Sequence, residues 1–203
     1  MIREFLVWLQ TELGKGPGEY PMSWSEALLG SLNFWGLLEG THLLSLMLFA
    51  GTIFVVDLRL LGVTFRRTPV SVLSDKVLPL TIFGFVLVIL TGLALFYAKP
   101  LVYFHNIWFR AKLVFIVLAL INIVVFHRRV QRNIQEWDTL ASPPRAARAS
   151  AVISLASWAV VIMLGRFIAY DWYECGKPIP DWANTLQECA ASERGAAPLG
   201  GAQ

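Results

Sequence analysis

Val77 to Ala98 is a run of 22 residues without a single charged side chain. A bilayer core of ~30 Å needs about 20 helical residues, so this run alone restricts the chain to a small set of folds. Three further runs resemble it: 17 uncharged residues from Ala149 to Gly165, 14 from Leu113 to Phe126 and 14 from Leu43 to Val56. The two shorter runs must borrow their polar ends to cross. In lipid only helices and closed barrels satisfy the backbone, and runs this long and continuous do not fit barrel strands. With 56% hydrophobic and 15% charged residues, the sequence predicts an all-α integral membrane protein, a four-helix bundle with spans at about 36–60, 77–97, 108–128 and 150–170.

Around this bundle, residues 1–24 form an N-terminal interfacial helix and linker, 25–171 the transmembrane domain, and 172–203 a C-terminal tail. Ile2, Phe5, Leu6, Leu9 and Leu13 recur at helical spacing, as in a helix lying in the membrane interface. The segment GKGPGEYP breaks it, and Ser23-Trp-Ser-Glu26 reads as a capping box. A helix opening there runs without interruption to Gly62. Its 38 residues, about 57 Å at helical rise, are too many to lie wholly within a bilayer. Pro79 is expected in the first turn of the second span, where a missing donor costs little. The connection YAKPLVYFHNIWFRAK is aromatic, as membrane interfaces are, and places His105 in a loop. The third span continues as helix through FHRRVQRNIQEWD. Ser142-Pro-Pro-Arg145 is a turn. The tail begins aromatic and acidic, folds over the outer face and becomes disordered from Ala190.

Arginine and lysine cluster after the first span (Arg59, Arg66, Arg67, Lys76) and after the third (Arg128, Arg129, Arg132, Arg145, Arg148). The positive-inside tendency puts those loops in the cytoplasm and both termini outside, in a periplasm or its equivalent. Cys175 and Cys189 then occupy an oxidising compartment, where a bridge between them and two free thiols are both open. The net charge of +3 is distributed for topology and does not indicate nucleic acid.

Ionisable residues inside spans are costly and are functional candidates by default. They fall into two layers. Glu39, His42, Tyr97, His105, Arg110, Lys112 and Arg166 belong to the outer layer; Asp57, Arg59, His127 and Arg128 to the inner. Neutral imidazole is a good iron or copper ligand, which makes His42 the leading candidate ligand and His127 or His105 the second. Arg110, Lys112 and Arg166 suit propionates or another anion. Gly36 and Gly40 admit either a neighbouring helix or a flat macrocycle. Equally, His42 can hydrogen-bond Glu39, Tyr97 or a carbonyl, His127 can be a plain interfacial residue or a partner of Asp57, and Asp57 and Arg59 can pair with each other or with Arg128 rather than serve a proton or a quinone head. In this register His42 lies about 13 residues, or ~20 Å, above His127, too far for one iron unless the first span slides outward by ten residues or more. Phosphate loops, zinc spacings, c-type haem attachment and serine-nucleophile patterns are absent.

The segments THLLSLMLFAGTIFVVDLRLLG, NIWFRAKLVFIVLALINIVVFHRR and WAVVIMLGRFIAY resemble the signature stretches of a bacterial four-helix membrane family of unknown function, over roughly residues 34–170. More loosely, the chain is similar to CopD-type copper-resistance proteins and b-type membrane cytochromes, which hold copper or haem through helix-borne histidines. That similarity maps only onto His42 and His127. Together these readings imply a haem b electron-transfer protein, linked to quinone. The alternatives are a non-catalytic accessory subunit of a larger membrane complex, and copper handling.

Overall fold

The computed structural model describes residues 1–16, 21–140, 142–170, 172–173, 175 and 179–188. Its regular elements are all helical: α1 (Ile2–Thr11), α2 (Trp24–Gly30), α3 (Leu32–Leu60), α4 (Val70–Ala98), α5 (Pro100–His105), α6 (Ile107–Val125), α7 (Ile134–Trp137), α8 (Arg145–Ile168) and α9 (Asp181–Gln187). A π turn over Phe126–Val130 and a 3-10 turn over Gln131–Asn133 join α6 to α7. Four stretches are long and apolar enough to cross a membrane: Leu32–Leu60, Val70–Ala98, Ile107–Trp137 and Arg145–Ile168. The expected continuation of the third span is therefore present, though its helix type changes at Phe126.

The chain divides into two compact units. The first holds Leu32–Leu95 and Phe115–Val161. Its core is a cluster of Phe49, Ala119, Trp158 and Val161, in which the Phe49 ring meets the Trp158 edge at 4.8 Å and 89°. Antiparallel α3 and α4 are held in register by three contacts. His42 meets Thr91, Phe49 meets Gly84 and Thr52 meets Thr81, each step down one helix being a step up the other. At Gly84 the backbones come so close that a Cβ there would sit 2.9 Å from the Phe49 nitrogen. Asn122 and Ser150 tie α6 to α8 through a reciprocal pair of 3.0 Å bonds. A second cluster, Leu60, Val70, Trp137, Ala147 and Ala151 with Phe126 packed against it, closes the far end. There α3 stops with Gly62 at φ 71; the Gly62 amide donates to Arg59 and the Val63 amide to Leu58, satisfying the terminal carbonyls as a Schellman motif does.

The second unit holds Met1–Ser31, Phe96–Val114 and the described residues from Ile162 onward. The capping box forms as expected: the Ser23 amide donates to Glu26 at 2.8 Å and the Glu26 amide to the Ser23 hydroxyl at 3.2 Å. Gly14 is required twice over, by φ +81 and by the Trp24 ring, which lies 2.4 Å from where a Cβ would stand. Ser25 is buried and donates to the Ala98 carbonyl, fastening α2 to the end of α4. On α1, Leu6 is buried while Ile2, Phe5 and Trp8 are exposed, the pattern of an interfacial helix.

Three expectations are corrected. The helix opening at Ser23 does not run to Gly62, because Ser31 takes extended backbone (φ −97, ψ 96) and separates α2 from α3. Pro79 is not in a first turn. It lies inside α4, which begins at Val70 because Asp138 accepts from the Ser71 amide at 2.8 Å and so caps a polar extension of the span. His105 is not in a loop but ends α5, which Pro100 opens at its first position. The expected disorder after Ala190 lies outside the described residues.

Candidate functional site

His42 is half-buried on α3. Its Nδ1 lies 2.9 Å from the Thr91 hydroxyl, which in turn donates to the Leu87 carbonyl at 2.6 Å. With the threonine proton committed, the hydroxyl accepts from Nδ1–H. The ring is thereby held in one tautomer, and Nε2 carries the lone pair. The ring seats against Gly92, where a Cβ would stand 3.3 Å from Cε1. Sequence reasoning missed Thr91 and Gly92. The available signal was a hydroxyl–glycine pair in an otherwise aliphatic span. Gly36 and Gly40 do not flank His42; at 100° per residue they point roughly 120° and 160° away from it, and nothing lies within 4 Å of where their Cβ atoms would be.

His127 occupies a different level. Phe49 and Ala119 share one cluster; His42 precedes Phe49 by seven residues and His127 follows Ala119 by eight. The two imidazoles are therefore about 22 Å apart in depth at helical rise. His127 is exposed in the π turn, and its Nδ1 donates to the Ile123 carbonyl at 2.9 Å. Glu39 is exposed.

Asp57 and Arg59 are both buried, and they do not form an ion pair with each other or with Arg128. Asp57 turns to the buried Ser154 of α8, leaving Oδ2 without a partner. Arg59 is fully buried and acts as a clamp. Its Nε donates to the Thr68 carbonyl at 2.8 Å, its Nη2 to Leu140 at 3.1 Å and to Asp138 at 3.5 Å, and its Nη1 is unpartnered. These carbonyls belong to the two connections at that end, so the guanidinium joins them by backbone. A sequence does not advertise carbonyl acceptors, which is why this role was not foreseen.

In the second unit Arg110 is also a clamp. Its Nε donates to Phe104 at 2.9 Å and its Nη1 to the Leu186 carbonyl at 2.6 Å; Glu188 is 3.3 Å away. The His105 Nδ1 donates to the Gln187 carbonyl at 2.6 Å. Both side chains thus latch α9. Arg166 is exposed, donates to the Tyr170 hydroxyl at 2.7 Å and stacks on that ring. Lys112 is half-buried and faces Gly165, with no hydrogen-bond or ion-pair partner among the described residues. Cys175 is disulfide-bonded, and Cys189 lies outside the described residues. Among the described residues no group of three or more His, Cys, Asp or Glu converges as a metal cluster.

Four apolar helices with leucine, isoleucine, valine and phenylalanine exposed along α4 and α6 define a multi-pass membrane protein whose outward faces contact lipid. More particularly, the chain belongs to the family of unknown function DUF6644, which it matches over residues 31–171. No curated protein matches it, and no solved structure does.

Proposed function

We propose that this protein binds haem b within the membrane through His42 and passes electrons, with quinone as the small-molecule partner. The observation that carries the reading is the His42–Thr91–Leu87 relay. An imidazole whose Nδ1–H is anchored, and whose Nε2 lone pair is thereby defined, is prepared as an axial ligand, since metal-ligating histidines donate their other nitrogen to a fixed acceptor. The depth separation of His42 and His127 favours one protein imidazole on the iron rather than two. Haem supplies the redox chemistry; the chain contributes the ligand, its orientation and a dry surround. Protein purified from haem-replete cells is expected to show a Soret band, lost in His42→Ala and kept in His127→Ala. Absence of that band in the wild type refutes the reading.

A second reading, an accessory subunit of a larger membrane complex, is favoured by the outward face of α3. There Gly36, Gly40 and Gly51 have open space beside them, and Leu43, Leu44 and Met47 are exposed. Small residues let helices approach closely in lipid. Co-purification with a stoichiometric partner, without pigment, supports this second reading over the first.

The orientation with both termini outside, in a bacterial inner membrane, rests on exposed basic residues. Arg66, Arg67, Arg128, Arg129, Arg132, Arg145 and Arg148 all lie in the two connections clamped by Arg59, or beside them, and all are exposed. Arg59 itself is not a surface charge, so the bias rests on the others. Labelling of single cysteines placed at Arg67 and at Trp8, with an impermeant reagent on intact cells, distinguishes the two orientations.

A further inference from the structure

We propose that the contact between α6 and α8 at Lys112 and Trp108 binds a phosphate oxyanion. Lys112 and Trp108 are four residues apart and share one face of α6. Opposite them α8 presents Gly165 and Phe167. The missing side chain at Gly165 leaves room for the ammonium, whose Nζ is 3.4 Å from where a Cβ would stand. The Trp108 ring packs edge-on against Phe167 at 5.2 Å, with Trp172 and Tyr173 at 6.0 and 5.9 Å. The pairing is antiparallel: Lys112 lies further along α6 and meets the earlier residue of α8.

Both side chains are donors without acceptors. The Trp108 Nε1 is buried and unpartnered, and Lys112 has neither an ion pair nor a hydrogen bond among the described residues. A half-buried ammonium in a membrane span is costly without an anion, and an indole N–H without an acceptor adds the loss of a hydrogen bond. Of the other cations nearby in sequence, Arg110 gives Nε and Nη1 to the carbonyls of Phe104 and Leu186 and keeps only Nη2 unpartnered, and Arg166 is held by Tyr170. Two matched donors, one charged and one neutral, under a cluster of tryptophan, tyrosine and phenylalanine rings describe a headgroup-level site, because such rings collect where lipid phosphates lie. The ligand chemistry is a phosphoryl oxygen, from an anionic lipid headgroup or from free phosphate.

Native mass spectrometry of the full chain from micelles containing phosphatidylglycerol, compared with micelles containing phosphatidylcholine, reads the lipid arm. Thermal unfolding with and without inorganic phosphate reads the other. The expected result is retained phosphatidylglycerol, weakened roughly tenfold in Lys112→Met, the scale of one charge-assisted hydrogen bond, and restored in Lys112→Arg. Trp108→Phe, which removes the indole N–H and trims the ring that packs on Phe167, Trp172 and Tyr173, weakens it less. A Lys112-dependent shift with inorganic phosphate alone identifies the soluble ion as the source. If the wild type shows no preference for phosphatidylglycerol over phosphatidylcholine and no phosphate shift, the proposal is overturned, and that comparison holds even where a variant fails to fold. Equal retention by wild type and Lys112→Met overturns it as well.

Discussion

Gly84→Ala tests the α3–α4 contact on which the placement of His42 depends. The added methyl would stand 2.9 Å from the Phe49 nitrogen, 3.1 Å from its Cα and 3.2 Å from its Cβ. Two of these three atoms are backbone, so no rotamer change relieves the contact. Ordinary van der Waals contact begins at 3.4 Å, so the helices must part by about 0.5 Å at this level. That movement strains the 2.8 Å Thr52–Thr81 bond one turn away and loosens the Phe49 edge contact with Trp158. Overpacking of this kind costs about 1–3 kcal/mol. The gain in helix propensity from glycine to alanine returns about 1 kcal/mol, leaving a net loss of roughly 0–2 kcal/mol. Gly51→Ala on the same bundle is the control. A Cβ there meets nothing within 4 Å, so it receives the propensity gain alone. The propensity gain is common to both, so reversible unfolding in mixed micelles, followed by tryptophan fluorescence, should separate the two variants by the overpacking cost of about 1–3 kcal/mol. Equal stability of Gly84→Ala and Gly51→Ala would refute the close approach and, with it, the register that brings His42 to Thr91.

Arg59→Ala takes the donor from the carbonyls of Thr68 and Leu140 and opens a void where a fully buried side chain stood, and is expected to cost about 3 kcal/mol in the same unfolding assay; an unchanged midpoint would refute the clamp. Because Cys175 is disulfide-bonded and the sequence has two cysteines, maleimide labelling of the denatured, unreduced protein should add no label, and reduction should expose two sites. Glu12 is held below the usual carboxylate range, chiefly by its hydrogen bond from Lys15. A depressed folded value means the contribution is present above the unfolded value and is lost as pH falls through the folded one. At the surface and open to solvent, that pair should contribute little, and Glu12→Gln should unfold as the wild type does at neutral pH and in acid alike.

The four spans were legible because hydropathy over some twenty residues is a sum, and sums survive local error. Where the ends fell was less legible, because ends depend on partners distant in sequence. Pro69 is the one local sign of a helix start at Val70; what fixes the start is Asp138, 67 residues away from Ser71. The same applies to the polar layers. Counting ionisable residues marks Asp57, Arg59 and Arg110 as groups needing partners. Pairing Asp57 with Arg59, or either with Arg128, is an option the sequence leaves open; Arg59 instead takes carbonyls, because inside a low-dielectric bundle the abundant acceptor is the backbone carbonyl at a helix end or turn. Arg59 and Arg110 each hold carbonyls of segments far along the chain.

The depth of His42 against His127 follows a different logic, because it needs only helical rise and one fixed level. The fixed level is the Phe49–Ala119–Trp158 cluster. From there the two imidazoles diverge by seven and eight residues in opposite directions, about 22 Å in all. Sliding α3 outward far enough to bring them together would break three contacts at once: Gly84 would leave Phe49, Thr81 would leave Thr52, and Thr91 would leave His42. The last of these is the bond that defines the imidazole tautomer. A register in which His42 and His127 share one iron therefore discards the feature that makes His42 a prepared ligand, so the His127→Ala variant, beyond α6, and the Gly84→Ala variant, on α4, probe the same geometry from two different helices.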